Sequence, residues 1–346
     1  MAADGLILST DMVAPDLRTD MCREISRPFF EPTLLADAPG SLELSLQTHL
    51  FGRTVVMASR HGQQQYRRDR RHVLGGMDQY FICLLLAGDH NGACEDRTIL
   101  VAAGDICVFD LSRPFQGEGG NGSVLSLMLP RNPVDKVTGG RDLHGLLLKK
   151  DEPTTRFLTD FMISFATLAK ANDGQDTQAI EDAAINLIGA CLARQTPPQQ
   201  DPALAHVLRH RLLHFIDTHL ADPALGPALL MQRFQVSRAH LYRMFETEGG
   251  VATVIREKRL DAAFHALASS DGKSRSVTEI AHRFGFSSST QFHRAFRTRF
   301  SLTPNQARSE RSTTPHQRLK PLGGLFDEYV RQLNFGASRT PPTGES

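Results

Sequence analysis

VTEIAHRFGFSSSTQFHRAFRTRFSLTPNQAR, Val277 to Arg308, decides how the last third of this chain folds. Val277 to Phe284 reads as a helix whose inner face is Ile280, Ala281 and Phe284, behind Ser276 as N-cap. Gly285 follows where the helix must stop, at a position often left-handed and suited to glycine. Phe286 fills the turn, and the serines that follow open a second helix with Phe292 and Phe296 one turn apart and pointing inward. Ser289, Thr290, Gln291, His293 and Arg294 are left on its outer surface. A short helix, a tight turn and a helix with a polar outer face form the layout that places side chains in a DNA major groove.

The same layout appears 50 residues earlier, counting from Ser237 to Ser287. Ala228 to Phe234 is the supporting helix, with Leu230 inward, and Gln235 and Val236 make the turn. Ser237 opens the next helix, Leu241 and Phe245 are its inner pair, and Ala239, Tyr242 and Arg243 share an outer face. Between the two units Val251 to Ser269 reads as one helix of roughly 28 Å, with Ile255, Leu260, Ala263 and Leu267 inward. Successive major-groove faces lie ~34 Å apart, so such a spacer sets two such units about one duplex turn apart.

Charge agrees with this division. Ala203 to Arg311 carries 16 Lys+Arg against 9 Asp+Glu, a net +7. Met1 to Gln200 carries 19 against 25, a net −6. A basic C-terminal part joined to an acidic N-terminal one points to a polyanion for the former alone. The five cysteines, Cys22, Cys83, Cys94, Cys107 and Cys191, form no C-x-x-C pair, which suits a reducing cytoplasm rather than a disulfide framework. The acidic N-terminus lacks the basic start of a signal peptide. The longest apolar run, Tyr80 to Ala87, is far short of the ~20 residues of a membrane span, so no membrane contact is expected.

Leu42 to Leu129 reads as short strands. Leu42, Leu44 and Leu46 alternate with polar residues, and Val55 to Met57, Tyr80 to Leu86 and Ser123 to Leu129 are short apolar runs between turns. Ile99 to Val101 and Ile106 to Phe109 read as a hairpin closed at Gly104 and Asp105. Strands at this spacing suggest an antiparallel sandwich or barrel. Phe157, Phe161, Phe165 and Leu168 then mark one face of a helix, and Thr177 to Arg194 repeats the pattern through Ile180, Ala184, Leu187, Ile188, Cys191 and Leu192. This helical hairpin either closes over the sheet or meets a second subunit. Gln195 to Pro202, with three prolines among polar residues, reads as a linker.

The stretch from Val277 to Arg308 resembles the C-terminal signature of AraC/XylS-type transcription regulators, most specifically in G-F-S-S from Gly285, the F-x-R-x-F-type spacing and the closing T-P-x-x-x-R. The resemblance extends over about residues 203 to 310 and implies two DNA-binding motifs in one seven-helix domain. More loosely, YFICLLLAGD from Tyr80 and VAAGDICVFDLSRPF from Val101 resemble the family's ligand-binding domain, a cupin-like barrel followed by dimerisation helices. Met231 and Gln235 depart from the pattern, standing where alanine and glycine are usual. Carried over by position, the base-facing residues are Ala239, Tyr242 and Arg243 in the first unit and Ser289, Thr290, Gln291 and Arg294 in the second. Arg243 suits a guanine edge, Gln291 adenine and the Thr290 methyl thymine. Arg238, Arg297 and Arg299 are placed for phosphates.

The resulting expectation is an α+β chain, a cupin-like β-barrel with a helical hairpin followed by an all-α domain with two helix-turn-helix motifs. Its parts are a flexible arm (1–20), a regulatory ligand-binding and dimerisation domain (21–194), a linker (195–202), a DNA-binding domain (203–311) and a tail (312–346) that includes a short helix around Leu325 to Leu333. The expected partners are operator DNA, a small-molecule effector, RNA polymerase and a second copy of the chain, in the cytoplasm; the alternative is an architectural DNA binder without effector input. No cofactor, metal site or enzymatic constellation is expected. His49, His61, His72 and His90 are spread along the chain without an H-x-H pair. Tyr80, Phe109 and Phe115 are expected as ordinary core, though suited to line a cavity. The run from Arg67 to Arg71 is expected as a solvated loop.

Overall fold

The structure is a computed structural model that describes residues 5–335 except 37, 39, 74–76, 96, 172–175, 196–202, 247, 269–274, 301, 310–318 and 320–321. Most of the expected linker therefore lies outside the described residues. The chain divides into two compact units, one of residues 1–198 with 315–346 and one of residues 199–314.

The first unit contains β1 (Leu6–Ser9), β2 (Glu31–Thr33), β3 (Leu44–Phe51), β4 (Thr54–His61), β5 (Gln64–Arg68), β6 (Tyr80–Ala87), β7 (Asp89–Cys94), β8 (Arg97–Ala102), β9 (Ile106–Asp110), β10 (Phe115–Gly119), β11 (Gly122–Leu129) and β12 (Leu146–Leu148). They form two antiparallel sheets, in the orders β1-β3-β4-β11-β6-β9-β12 and β2-β5-β10-β7-β8, which is the antiparallel architecture expected, as a sandwich rather than a closed barrel. The corner at Gly104 explains part of the difference. β8 pairs with β7 in the smaller sheet and β9 with β6 in the larger one, so the expected hairpin is instead a crossing between sheets. Gly104 makes the corner at φ +93° and donates its N–H to the Leu85 carbonyl at 2.7 Å. The residues expected as a loose arm also enter the fold, because β1 pairs with β3 from Leu6 to Ser9.

One core lies between the sheets and includes Met57, Tyr66, Leu85, Phe109 and Phe115. The other face of the larger sheet is covered by α3 (Arg131–Thr138), α4 (Pro153–Lys170) and α5 (Thr177–Gln195), which follow α1 (Arg18–Ser26) and α2 (Arg70–Val73). Burial on both faces is why β6 reads as a continuous apolar run instead of alternating. The α4 face differs from the periodicity expected. Leu158, Met162, Phe165, Ala166 and Ala169 are buried, while Phe157 and Leu168 are exposed. On α5 the buried Glu181 accepts from the Arg53 N–H at 2.7 Å and the Thr54 hydroxyl at 2.9 Å, which ties the helical hairpin to the β3–β4 turn.

Arg68 overturns the solvated-loop expectation for its own position. It lies within β5, is 1% exposed, and its guanidinium donates to the carbonyls of Leu111, Pro28, Phe29 and His72. Five fixed donors let one arginine satisfy several carbonyls that would otherwise be buried unpaired.

The second unit is helical: α6 (Ala203–Thr218), α7 (Pro227–Phe234), α8 (Arg238–Met244), α9 (Val251–Ala268), α10 (Val277–Arg283), α11 (Ser289–Phe300) and α12 (Pro304–Ser309). Leu212, Ile216, Leu230, Leu241, Phe245, Val251 and Ile255 form the core of its first half. Phe264, Phe292, Phe296 and Phe300 pack ring against ring in its second.

The chain then returns to the first unit. Helix α13 (Gly323–Phe335) lies in the segment expected as a tail, and Phe326, Tyr329 and Leu333 are buried in the intersheet core. The Tyr329 hydroxyl donates to the Ile25 carbonyl at 3.0 Å, and the Thr48 hydroxyl to Gln332 Oε1 at 2.7 Å. Among the described residues, no helix is long and apolar enough to cross a membrane.

Candidate nucleic-acid interface

The second helix-turn-helix is built from α10, a turn and α11. Ser276 and Glu279 form a reciprocal cap on α10: the Ser276 hydroxyl accepts from the Glu279 N–H at 3.1 Å, and Glu279 accepts from the Ser276 N–H at 2.6 Å. The Ser276 N–H and hydroxyl both favour the ionised Glu279 carboxylate and hold its pKa below the ordinary value. Gly285 turns the chain at φ +76°, and the Phe286 N–H reaches back to the Ala281 carbonyl at 3.0 Å. The Phe286 ring packs on Phe292, with 5.1 Å between centroids. With Phe292, Ala295, Phe296 and Phe300 buried, α11 leaves Thr290, Gln291, Arg294 and Arg297 exposed, with Ser289 half-buried at its start.

In the first helix-turn-helix, α7 ends at Gln235, which takes the left-handed conformation at φ +53°, ψ +42°. The Ser237 hydroxyl caps α8 by accepting from the His240 N–H. Leu241 and Phe245 are buried, so Arg238, Ala239, Tyr242 and Arg243 are all exposed on α8. The Arg238 guanidinium lies 5.4 Å from the Tyr242 ring centre. Among the described residues, Arg243, Arg294 and Arg297 form no ion pair. Four cations are thus presented outward from two short helices whose opposite faces are fixed by packing.

Arg299 is a correction. It is expected at a phosphate, but its Nε and Nη2 donate to Asp261 at 2.6 and 2.7 Å, and Nη1 lies 2.9 Å from Glu257. Burial disfavours its charge, yet Asp261 and Glu257 more than offset this and hold its pKa above the ordinary value. Arg299 is an internal strut between α11 and α9. Arg259 has a related role that the sequence pattern conceals. Its guanidinium donates to the carbonyls of Leu220 and Asp222, and lies where a side chain on Gly285 would sit, 2.8 Å from such a Cβ.

A second candidate site lies within the first unit. Between its two sheets is a cavity of about 120 Å³ of free space, lined by Phe109, Phe115, Leu46, Leu85 and Tyr329 among others. Two of the three aromatics expected as core thus line a cavity. Tyr80 belongs to the other core, where its hydroxyl donates to Asp135 at 2.7 Å. The fold also joins two histidines that the sequence leaves 29 positions apart: His61 and His90 line the cavity with ring centres 4.9 Å apart. His90 pairs with Gly119 on β10 and His61 with Gly122 on β11, so the short β10–β11 turn brings them together, and no sequence period signals such a contact. Among the described residues, no group of three His, Cys, Asp or Glu side chains is placed to hold a metal ion.

The pattern of the helix-turn-helix domain family matches residues 230–310, and that of the AraC-binding-like domain matches residues 21–193. The chain belongs to the AraC family of transcription regulators. It is 28% identical over 151 residues to the HTH-type transcriptional activator RhaS of Salmonella arizonae, covering 43% of this chain and 53% of that protein. With RhaS of Salmonella paratyphi B the identity is 29% over 147 residues, covering 42% of this chain and 51% of that protein. The chain spans about half the length of these curated relatives. Among solved structures, the AraC-like transcriptional activator CuxR shares the fold, with a TM-score of 0.53 and 18% identity over 75% of this chain and 95% of that one.

Proposed function

We propose that this AraC-family chain is a sequence-specific transcription activator that reads operator DNA with α8 and α11. Ala239, Tyr242 and Arg243 face base edges from the first helix-turn-helix, and Ser289, Thr290, Gln291 and Arg294 from the second. Arg238 and Arg297 neutralise phosphates and fix the register. The observation that carries this reading is the pair of exposed polar faces, each backed by a buried core and holding arginines that have no carboxylate partner among the described residues. Helix α9, 18 residues long, spans about 27 Å between the two motifs, close to one duplex turn.

The first unit supplies the signal input, with a small-molecule effector seated in the cavity between its sheets. It also supplies the surface for a homodimer, favoured by the exposed apolar residues Phe157, Ile163 and Leu168 on α4. As an activator in the cytoplasm it would also meet RNA polymerase.

Binding of the purified chain to fragments of its own upstream region, against random DNA at fixed salt, tests the proposal. The expected result is tight binding to one fragment and protection of two adjacent major-groove segments on one face of the duplex. Equal, weak binding to every fragment, unchanged across candidate effectors, would replace it with an architectural role.

A further inference from the structure

The cavity of the first unit carries information about its own ligand. None of its 22 described lining residues is Lys, Arg, Asp or Glu. Burial also disfavours the charged form of its two imidazoles. Burial lowers the His61 pKa, opposed by the Gly62 carbonyl, and burial with His61 nearby pulls His90 down to about 4. An ionised ligand would enter this space without a counter-charge, and an unpaired buried charge is strongly disfavoured.

Yet the cavity is not wholly apolar. His61 Nδ1 stands 3.1 Å from the Gly62 carbonyl, and since a carbonyl only accepts, Nδ1 carries the proton. His61 Nε2 therefore presents a lone pair, buried and without a hydrogen-bond partner among the described residues. The Nε2 of His90, in the neighbouring ring, is likewise buried without a partner. Both rings line the cavity, and its other walls include Leu46, Leu85, Phe109 and Phe115. The room available, about 120 Å³, is comparable to the ~150 Å³ apolar cavity that takes up benzene.

We infer that the cavity binds an uncharged molecule of about one ring, apolar in body and bearing a hydroxyl that donates to the His61–His90 edge. The inference rests on the proposed role of this cavity as the effector site, and it adds the chemical class of the effector. The hydroxyl satisfies an acceptor that folding leaves unpaired, while the ring replaces empty space with dispersion contacts.

Ligand-observed NMR titration of the full-length chain with phenol, benzene and benzoate separates the class from the site. Phenol is expected to bind about fivefold tighter than benzene, the ratio that one net hydrogen bond of about 1 kcal/mol supplies, and benzoate more weakly than either. Replacing His61→Leu should bring phenol and benzene to equal affinity, with His90→Leu as the second variant if the first does not fold. Ser126→Phe, which fills the cavity, should abolish binding of both. Benzoate binding tighter than phenol, or a phenol preference that survives both histidine replacements, would overturn the ligand class and leave the effector site standing. Failure of the folded chain to bind any of the three probes would overturn the class together with the effector site it rests on.

Discussion

In the second helix-turn-helix the turn carries Gly285 at φ +76°, whereas in the first the matching left-handed position holds Gln235 at φ +53°. The difference extends through both halves. Helix α10 starts with a reciprocal Ser276–Glu279 cap, but α7 starts at Gly226 and Pro227 without a side-chain cap. The second core is a cluster of phenylalanines, with Phe296 and Phe300 edge to face and centred 4.5 Å apart, and the first is mainly aliphatic. The second half is therefore specified locally, by caps, a glycine and rings adjacent in sequence. The first depends more on packing against α6 and α9. One layout can be reached by local chemistry or by tertiary context, and only the former leaves a strong mark on the sequence.

The largest effect that tests this contrast is loss of a core ring. Phe296 is fully buried against Phe264, Phe292 and Phe300, so Phe296→Ala should destabilise the second half by about 3–5 kcal/mol. Hydrogen exchange of the full chain locates the loss. Amides of α10 and α11 should lose protection well before those of α7 and α8. Equal loss in all four helices would mean that α9 couples the halves into one cooperative unit and that the contrast ends at folding.

Next come the arginines, which separate DNA contact from support. Arg294→Ala is expected to weaken specific binding by about 1–3 kcal/mol and relax preference at one base pair. Arg297→Ala should weaken binding on all sequences and reduce the salt slope by about 1. Arg299→Ala should instead lower the melting temperature, because Asp261 and Glu257 lose their partner. Should Arg299→Ala change the salt slope at full stability, its assignment as a strut would fail.

Arg299 also marks where sequence reading stops. The helices, their caps and their inward residues follow from spacing, and Ser276, Gly285, Phe292 and Phe296 lie where the pattern places them. The carboxylates that engage Arg299, 38 and 42 positions earlier on another helix, do not follow from spacing. The first unit was less legible for the same reason. Alternation and short apolar runs locate six of its twelve described strands, but not which sheet each joins, so β8 and β9 read as a hairpin when they part at Gly104. Arg68 lies in a charged run that looks solvated, and its buried carbonyl partners become visible only once the loops have folded around it. The His61–His90 pair and the return of α13 are likewise products of topology.

Helix caps give a smaller comparison. Ser276→Ala removes one member of a reciprocal cap, and Ser237→Ala removes a single acceptor at the start of α8. Both should cost about 1 kcal/mol, with Ser276 the costlier, as urea midpoints on the two variants would measure. The reverse order would show that α8, despite its simpler cap, is the more dependent on it.

The smallest expected effect is a gain. Gln235 holds a left-handed conformation that costs a non-glycine residue roughly 1–2 kcal/mol. It recovers part of this through its side chain, whose Nε2 donates to the Gln232 carbonyl at 2.7 Å. Glycine would remove the strain but lose that hydrogen bond and gain freedom in the unfolded chain, a loss of about 0.4–1 kcal/mol. Gln235→Gly should therefore stabilise the chain by only about 0.5 kcal/mol, seen as a small rise in urea midpoint. Gly285→Ala should move the other way, since its Cβ would meet the Arg259 guanidinium held by Leu220 and Asp222. If Gln235→Gly were also destabilising, the glutamine side chain would be part of the turn's design, and the first half would be as locally specified as the second.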